Sequence, residues 1–151
     1  MNEALNRKIV AITSPGAIVD DASWTTNEVD TAEWDQLEII VQLGSIDATM
    51  AALAATESDT SGSGHANITG PIFGTSNNDA DAASPLPGAT DDNKVYSILI
   101  DLRARKRYID LTATAGNGAA GTYMSAIGIL SRGKIGPNTA VESGYAQRLI
   151  V

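Results

Sequence analysis

Trp34-Asp-Gln-Leu37-Glu-Ile39-Ile-Val41-Gln-Leu43-Gly44 alternates in character at nearly every step. Leu37, Ile39, Val41 and Leu43 fall on one side of an extended chain, and Glu38, Ile40 and Gln42 on the other, which is the period-two signature of a strand with one face on a core. A helix would throw Leu37 and Ile39 to opposite sides of its axis. The same alternation returns downstream. Tyr96, Ile98, Ile100 and Leu102 oppose Ser97, Leu99 and Asp101. In Tyr123–Ser131, the set Tyr123, Ile127 and Ile129 shares a face with Ser125, while Met124, Ala126 and Leu130 share the other with Gly128. Both faces of that segment are apolar, so this strand is expected to be covered on both sides.

Outward from these three, further short apolar stretches are separated by Gly, Asn, Asp, Ser and Pro clusters. The candidates are Lys8–Thr13, Ala17–Val19, a weak one at Ser23–Val29, Met50–Glu57, Asn67–Phe73 and Tyr108–Thr114. Ala48–Glu57 is Ala-rich with Leu53 at its centre and has helical propensity. Gly44 ahead of it, Thr49 and Thr56 beside it, and the instability of a lone short helix favour a strand. The expected fold is all-β: an antiparallel β-sandwich of roughly eight strands, jelly-roll-like, with extended N- and C-terminal arms. Residues 1–16 read as an N-terminal arm or first strand, 17–132 as the sandwich and 133–151 as a C-terminal arm. The apolar tip Leu149-Ile150-Val151 has to be tied down on its own domain or on a neighbour. Two long loops, Glu57–Asn67 and Gly74–Lys94, are rich in small and polar residues.

With 151 residues the chain is one domain's worth, and it contains no Cys, which removes disulfides, thiolate nucleophiles and Cys-based zinc sites. No apolar run is long enough for a membrane helix, and Met1–Lys8 has no apolar signal core, so synthesis in the cytoplasm is expected. Net charge is −8, against general nucleic-acid binding. The charge is unevenly placed. Met1–Ile100 carries 3 basic and 15 acidic residues, whereas Asp101–Val151 carries 7 basic and 3 acidic ones. Such a split is neutralised within the fold, between subunits or against a partner.

His65 is the sole histidine and sits in Ser61-Gly-Ser-Gly-His65, where a solvated loop residue is the expectation. The carboxylates of Asp20-Asp21, Asp79, Asp81 and Asp91-Asp92 lie in turn-like contexts that favour local backbone hydrogen bonds over catalysis. Asn77-x-Asp79-x-Asp81 opens like a calcium loop but has Ala82 where Gly is needed and Gly88 where Glu is needed. No metal or other cofactor is expected. Arg103, Arg105, Lys106 and Arg107 form the one dense basic cluster, either a clamp for phosphates or an acidic protein surface or a tight hairpin guarding a sheet edge. Gly116-Asn-Gly118-Ala-Ala-Gly121 has the spacing of a dinucleotide fingerprint but lies between strands, so it reads as a hairpin loop. Trp24 and Trp34 read as core or interface residues. Exposed, they would suit a sugar-binding platform.

Several of these segments, in this order, form a set. Asp30-Thr-Ala-Glu-Trp34 leading into the alternating strand to Gly44, the ending Thr56-Glu57-Ser58-Asp59, Lys106-Arg107-Tyr108-Ile109, and Ser125-Ala126-Ile127-Gly128-Ile129-Leu130 resemble the tailed-bacteriophage head decoration (cement) proteins. The likeness covers Ser23–Ser131; the Gly74–Lys94 loop and the C-terminal arm lie outside it. It implies a jelly-roll-like sandwich without catalytic activity, a homotrimer bound to the outer surface of the virion, with the major capsid protein as partner and no nucleic acid or membrane. On that reading Arg103, Arg105, Lys106, Arg107, Leu149, Ile150 and Val151 are the expected capsid or subunit contacts. The alternative of another class is a carbohydrate-binding or adhesin-type sandwich module.

Overall fold

A computed structural model describes residues 6–74, 85–134 and 139–149. Its strands are β1 (Arg7–Thr13), β2 (Val29–Asp30), β3 (Trp34–Ile46), β4 (Ala52–Ser58), β5 (Ala66–Ile72), β6 (Val95–Asp101), β7 (Tyr108–Thr114) and β8 (Thr122–Gly133). No α-helix occurs among the described residues, and no described helix is long and apolar enough to cross a membrane. The strands form two four-stranded sheets, β1-β8-β3-β6 (sheet A) and β2-β7-β4-β5 (sheet B). All pairings are antiparallel. Strands pair from the ends of the chain inward, β1 with β8, β2 with β7, β3 with β6 and β4 with β5, and the β3–β8 and β4–β7 ladders complete the sheets. Consecutive strands therefore mostly change sheet, so much of the core is built by residues far apart in the chain.

The alternation in β3 sets the core. Leu37, Ile39, Val41 and Leu43 are essentially inaccessible and face Leu53, Ala55, Ile109, Leu111 and Ala113 of sheet B within one hydrophobic cluster. Ile98 and Ile100 of β6 join them, as do Met124, Ala126 and Leu130 of β8. Gly128 continues this inward row, where a Cβ would already lie 3.2 Å from Leu37 Cδ1 and 3.4 Å from Ile12 Cδ1. The Ala-rich segment is strand β4, with Leu53 and Ala55 inward and Ala54, Thr56 and Ser58 also buried. Burial on both faces by small side chains decides against the helix.

Three expectations need revision. Ala17–Val19 and the Ser23 end of the next segment contribute only single bridges, Val19 to Thr122 and Ser23 to Thr114, because each meets its neighbour at one point before turning away. The second face of β8 is not fully covered by the described residues: Tyr123 is 45% and Ile127 39% exposed. Neither the basic cluster nor the Gly116–Gly121 loop is a hairpin. The first carries the chain from β6 in sheet A to β7 in sheet B, and the second carries it back to β8 in sheet A.

Beyond β8, residues 139–145 turn back onto the domain, with Ile9 N–H of edge strand β1 donating to Ser143 O at 2.8 Å. Tyr145 N–H closes the turn on Ala140 O at 2.9 Å, and the Ser143 hydroxyl donates to Thr139 O. This cap satisfies part of an edge that would otherwise be open to pairing.

Candidate interaction surface

Cross-strand pairs share a face, so the register defines what sheet A presents outward. One row runs Ile9, Ile129, Glu38, Leu99, and the next Ala11, Ile127, Ile40, Ser97. Gln42 then pairs with Ser125 and with Val95. Val95 is 61% and Leu99 63% exposed. Glu38 is the only charged residue in those three rows, and its Oε1 accepts from the Ser97 hydroxyl at 2.8 Å. The remaining exposed large hydrophobics described are Val141, Tyr145 and Leu149 on the C-terminal segment, and Ile18. Sheet B faces outward with Asp110, Thr112 and Asn67 instead, while Ala54 and Thr56 between them are buried. The molecule thus has one broad face that is largely apolar over these three rows and is bounded by a fourth, Arg7, Ser131, Gln36 and Asp101, that is charged, and one polar face.

The basic cluster occupies the crossover around the 3-10 turn Leu102–Ala104, and each of its side chains has a carboxylate. Arg103 pairs with Asp101, Arg105 with Glu57 at 3.5 Å, Lys106 with Asp59 at 3.7 Å and Arg107 with Asp30 at 2.8 Å. Arg107 holds Asp30 in two parallel bonds, which keeps that carboxyl below its ordinary range, and its guanidinium lies over the Tyr108 ring. The Lys106 N–H donates to Glu57 Oε2. The acidic first half and basic second half are therefore zipped together at this corner, although the side chains of Arg103, Lys106 and Arg107 keep their outer sides in water. Of the apolar tip, Leu149 is 85% exposed, and Ile150 and Val151 lie outside the described residues.

Other carboxylates hold loops. Asp47 accepts from the N–H groups of Ala120 and Gly121, so the donors of the Gly-x-Gly-x-x-Gly loop are engaged by the chain itself and Asp47 is shifted down. Asp20 accepts from Gly118 N–H, Asp91 from Gly88 N–H and Asp92 from Ile46 N–H, all at 2.8 Å. That is the structural use expected of turn Asp residues; Asp79 and Asp81 lie outside the described residues.

His65 is not a solvated loop residue. Its ring is half-buried with Nε2 3.4 Å from Glu28 Oε2, near enough for attraction when protonated but not hydrogen-bonded. Glu28 also takes the Ser61 hydroxyl and the Gly62 N–H, which together hold its carboxyl below the ordinary value. The serine donates to the carboxylate and not to the imidazole, the wrong order for a nucleophile triad. No group of three or more His, Asp or Glu poised for a metal exists among the described residues. Glu28 carries no sequence signal for this clamp, because its partners stand some thirty-odd positions away in a Gly-Ser loop.

Both indoles are half-buried and pack against the hydrophobic cluster, Trp34 beneath Gly133, where a Cβ would meet its ring at 2.8 Å. No protein-family model matches the chain, and no curated protein matches its sequence.

Proposed function

We propose that this protein is a structural component of a tailed-phage virion, binding the outer surface of the assembled capsid as a trimer and stabilising contacts between capsomers. The observation that carries the reading is the end-to-end pairing of strands, which we take as a jelly roll, combined with where the decoration-protein-like segments fall. Asp30, Glu57, Asp59 and Lys106–Ile109 come from three of those segments and meet at one corner through the Arg107–Asp30 and Lys106–Asp59 pairs and the Lys106 N–H to Glu57 bond. Such a role suits the physics of a shell. A trimer making three modest contacts on a repeating lattice gains avidity from high effective concentration. A ligand that binds only the assembled lattice stabilises it by mass action.

Trp24 and Trp34 are partly buried against the core and are not among the exposed large hydrophobics described, which favours the virion reading over a carbohydrate-binding module. The deciding experiment is mass spectrometry of particles purified from a culture in which the encoding phage is produced, with purified protein added in parallel to emptied heads and to a glycan array. Stoichiometric presence and saturable head binding are expected. Absence from particles together with glycan binding overturns the proposal.

A further inference from the structure

We propose that His65 and Glu28 share a divalent metal ion of the zinc class, which ties the β4–β5 loop to the segment ahead of β2. The two side chains are 17% and 22% exposed, and His65 Nε2 lies 3.4 Å from Glu28 Oε2. That nitrogen is buried and has no hydrogen-bond partner among the described residues, an arrangement that native interiors rarely keep without a water or an ion. The separation decides among the occupants. A protonated imidazole bonded to a carboxylate draws its nitrogen to about 2.7–2.9 Å from the oxygen. A water holding both groups by ordinary hydrogen bonds sets them about 4.5 Å apart. Two ligands of one tetrahedral zinc, at about 2.0–2.1 Å for nitrogen and about 2.0–2.2 Å for oxygen, stand about 3.4 Å from each other.

The surroundings suit a ligand pair. The Ser61 hydroxyl and the Gly62 N–H donate to Glu28, which orients the carboxylate and keeps it ionised, as the outer partners of metal-bound carboxylates do. A cavity of about 470 Å³, lined by Thr26, Asn27, Glu28, Gly62, His65 and Asp110, adjoins the pair and leaves room for water to complete the coordination. An imidazole nitrogen beside a carboxylate oxygen favours zinc, nickel or copper over calcium and magnesium, which take oxygen ligands. With two protein ligands in place of the four of a closed structural site, the ion is exchangeable and held only as well as the loop is folded. That loop begins at the corner where Lys106 meets Asp59 and Arg107 meets Asp30, so the ion adds a further cross-link there. Neither ligand takes part in the contacts on which the virion reading rests.

His65 is the sole histidine, so the imidazole nitrogen signals in an NMR spectrum belong to it alone. The untagged full chain is titrated with zinc chloride at about pH 7.5, where imidazole is mostly neutral, and followed by nitrogen NMR and by calorimetry. The Nε2 signal is expected to move saturably, with calorimetry giving one ion per chain. His65→Gln and Glu28→Gln should each weaken binding by at least about 100-fold, and Ser61→Ala, which removes only an orienting partner, by about 10-fold. Glu33→Gln, which removes a carboxylate paired with Lys134 instead, should bind as the wild type does. An Nε2 signal that zinc does not move overturns the proposal and leaves a plain His–Glu ion pair. Binding that survives in both His65→Gln and Glu28→Gln overturns it too, by placing the ion elsewhere. The nitrogen signal is read in the wild type, and so decides the matter even where a variant fails to fold. Heads take no part in these measurements, so failure here leaves the virion reading standing.

Discussion

Replacing Gly144 with Ala should release the C-terminal segment while leaving the sandwich folded. Gly144 has φ of +82°, and a Cβ there would stand 1.8 Å from Ile9 O, a backbone atom that no rotamer change can move aside. The left-handed conformation costs a residue with a side chain about 1–2 kcal/mol. Separating the segment from β1 breaks the Ile9 N–H to Ser143 O bond in wild type and variant alike, so the strain alone shifts the equilibrium. A penalty of about 1–2 kcal/mol opens it roughly 5- to 30-fold, with the backbone clash adding to that. The assay is amide hydrogen exchange of Ile9 in the full chain by NMR. Its protection should fall by that factor, while core amides such as that of Ile39 keep theirs and the melting temperature drops by less than about 10 °C. If Ile9 exchanges at the wild-type rate in the variant, the segment does not cap β1 through this residue and the reasoning is wrong.

Acid should destabilise the fold in a defined window. Glu28, held by the Ser61 hydroxyl, Asp30 by Arg107, Asp47 by the Ala120 N–H, Asp91 by Lys94 and Asp101 by Arg103 all have carboxyls below their ordinary values. A depressed folded-state value gives stability that is fully present above the unfolded value and lost as pH falls through the folded one, so urea midpoints should be level from pH 6 to 5 and decline below about 4. A level profile down to pH 3 would contradict those hydrogen bonds. Leu111→Ala, at a site only 2% exposed, should cost about 2–5 kcal/mol in chemical denaturation, against less than about 0.5 for Thr112→Ala beside it. Equal effects would mean that β7 is in another register.

Local pattern carried most of the fold into view. β7 runs over Tyr108–Thr114 as its pattern predicts, and the inward row of β3 is Leu37, Ile39, Val41 and Leu43 as read. Period-two patterning works there because one face is dry and the other wet. It misjudged β8, whose two apolar faces imply two covers, because alternation reports which side chains are apolar and not what the fold lays over them. Sheet membership was also invisible. Arg103–Arg107 and Gly116–Gly121 have the turn composition of hairpins, yet each joins strands in different sheets, a fact set by the distant β3–β8 and β4–β7 ladders. The clamp of Glu28 on Ser61 and Gly62 and the cradle around Asp47 were hidden for the same reason, since each joins residues tens of positions apart.

Charge and apolar area make opposite claims about how copies meet, and salt separates them. The sequence suggests that the basic cluster steers association, in which case salt should weaken it. In the fold, Arg105, Lys106, Arg107 and Lys134 from the second half of the chain face Glu57, Asp59, Asp30 and Glu33 from the first, so that attraction is already spent within one molecule. What each copy shows another at long range is its net charge of −8. Two such bodies with centres about 30 Å apart repel by roughly 3 kcal/mol at 0.01 M salt and roughly 0.2 kcal/mol at 0.15 M, taking a water-like dielectric and Debye lengths of about 30 and 8 Å. Apolar contact is nearly indifferent to this range of salt. Self-association measured by sedimentation should therefore strengthen by about 100-fold between those conditions, the factor that a change of roughly 3 kcal/mol sets as an order of magnitude. Association that weakens as salt rises would return the contact to Arg103, Arg105, Lys106 and Arg107.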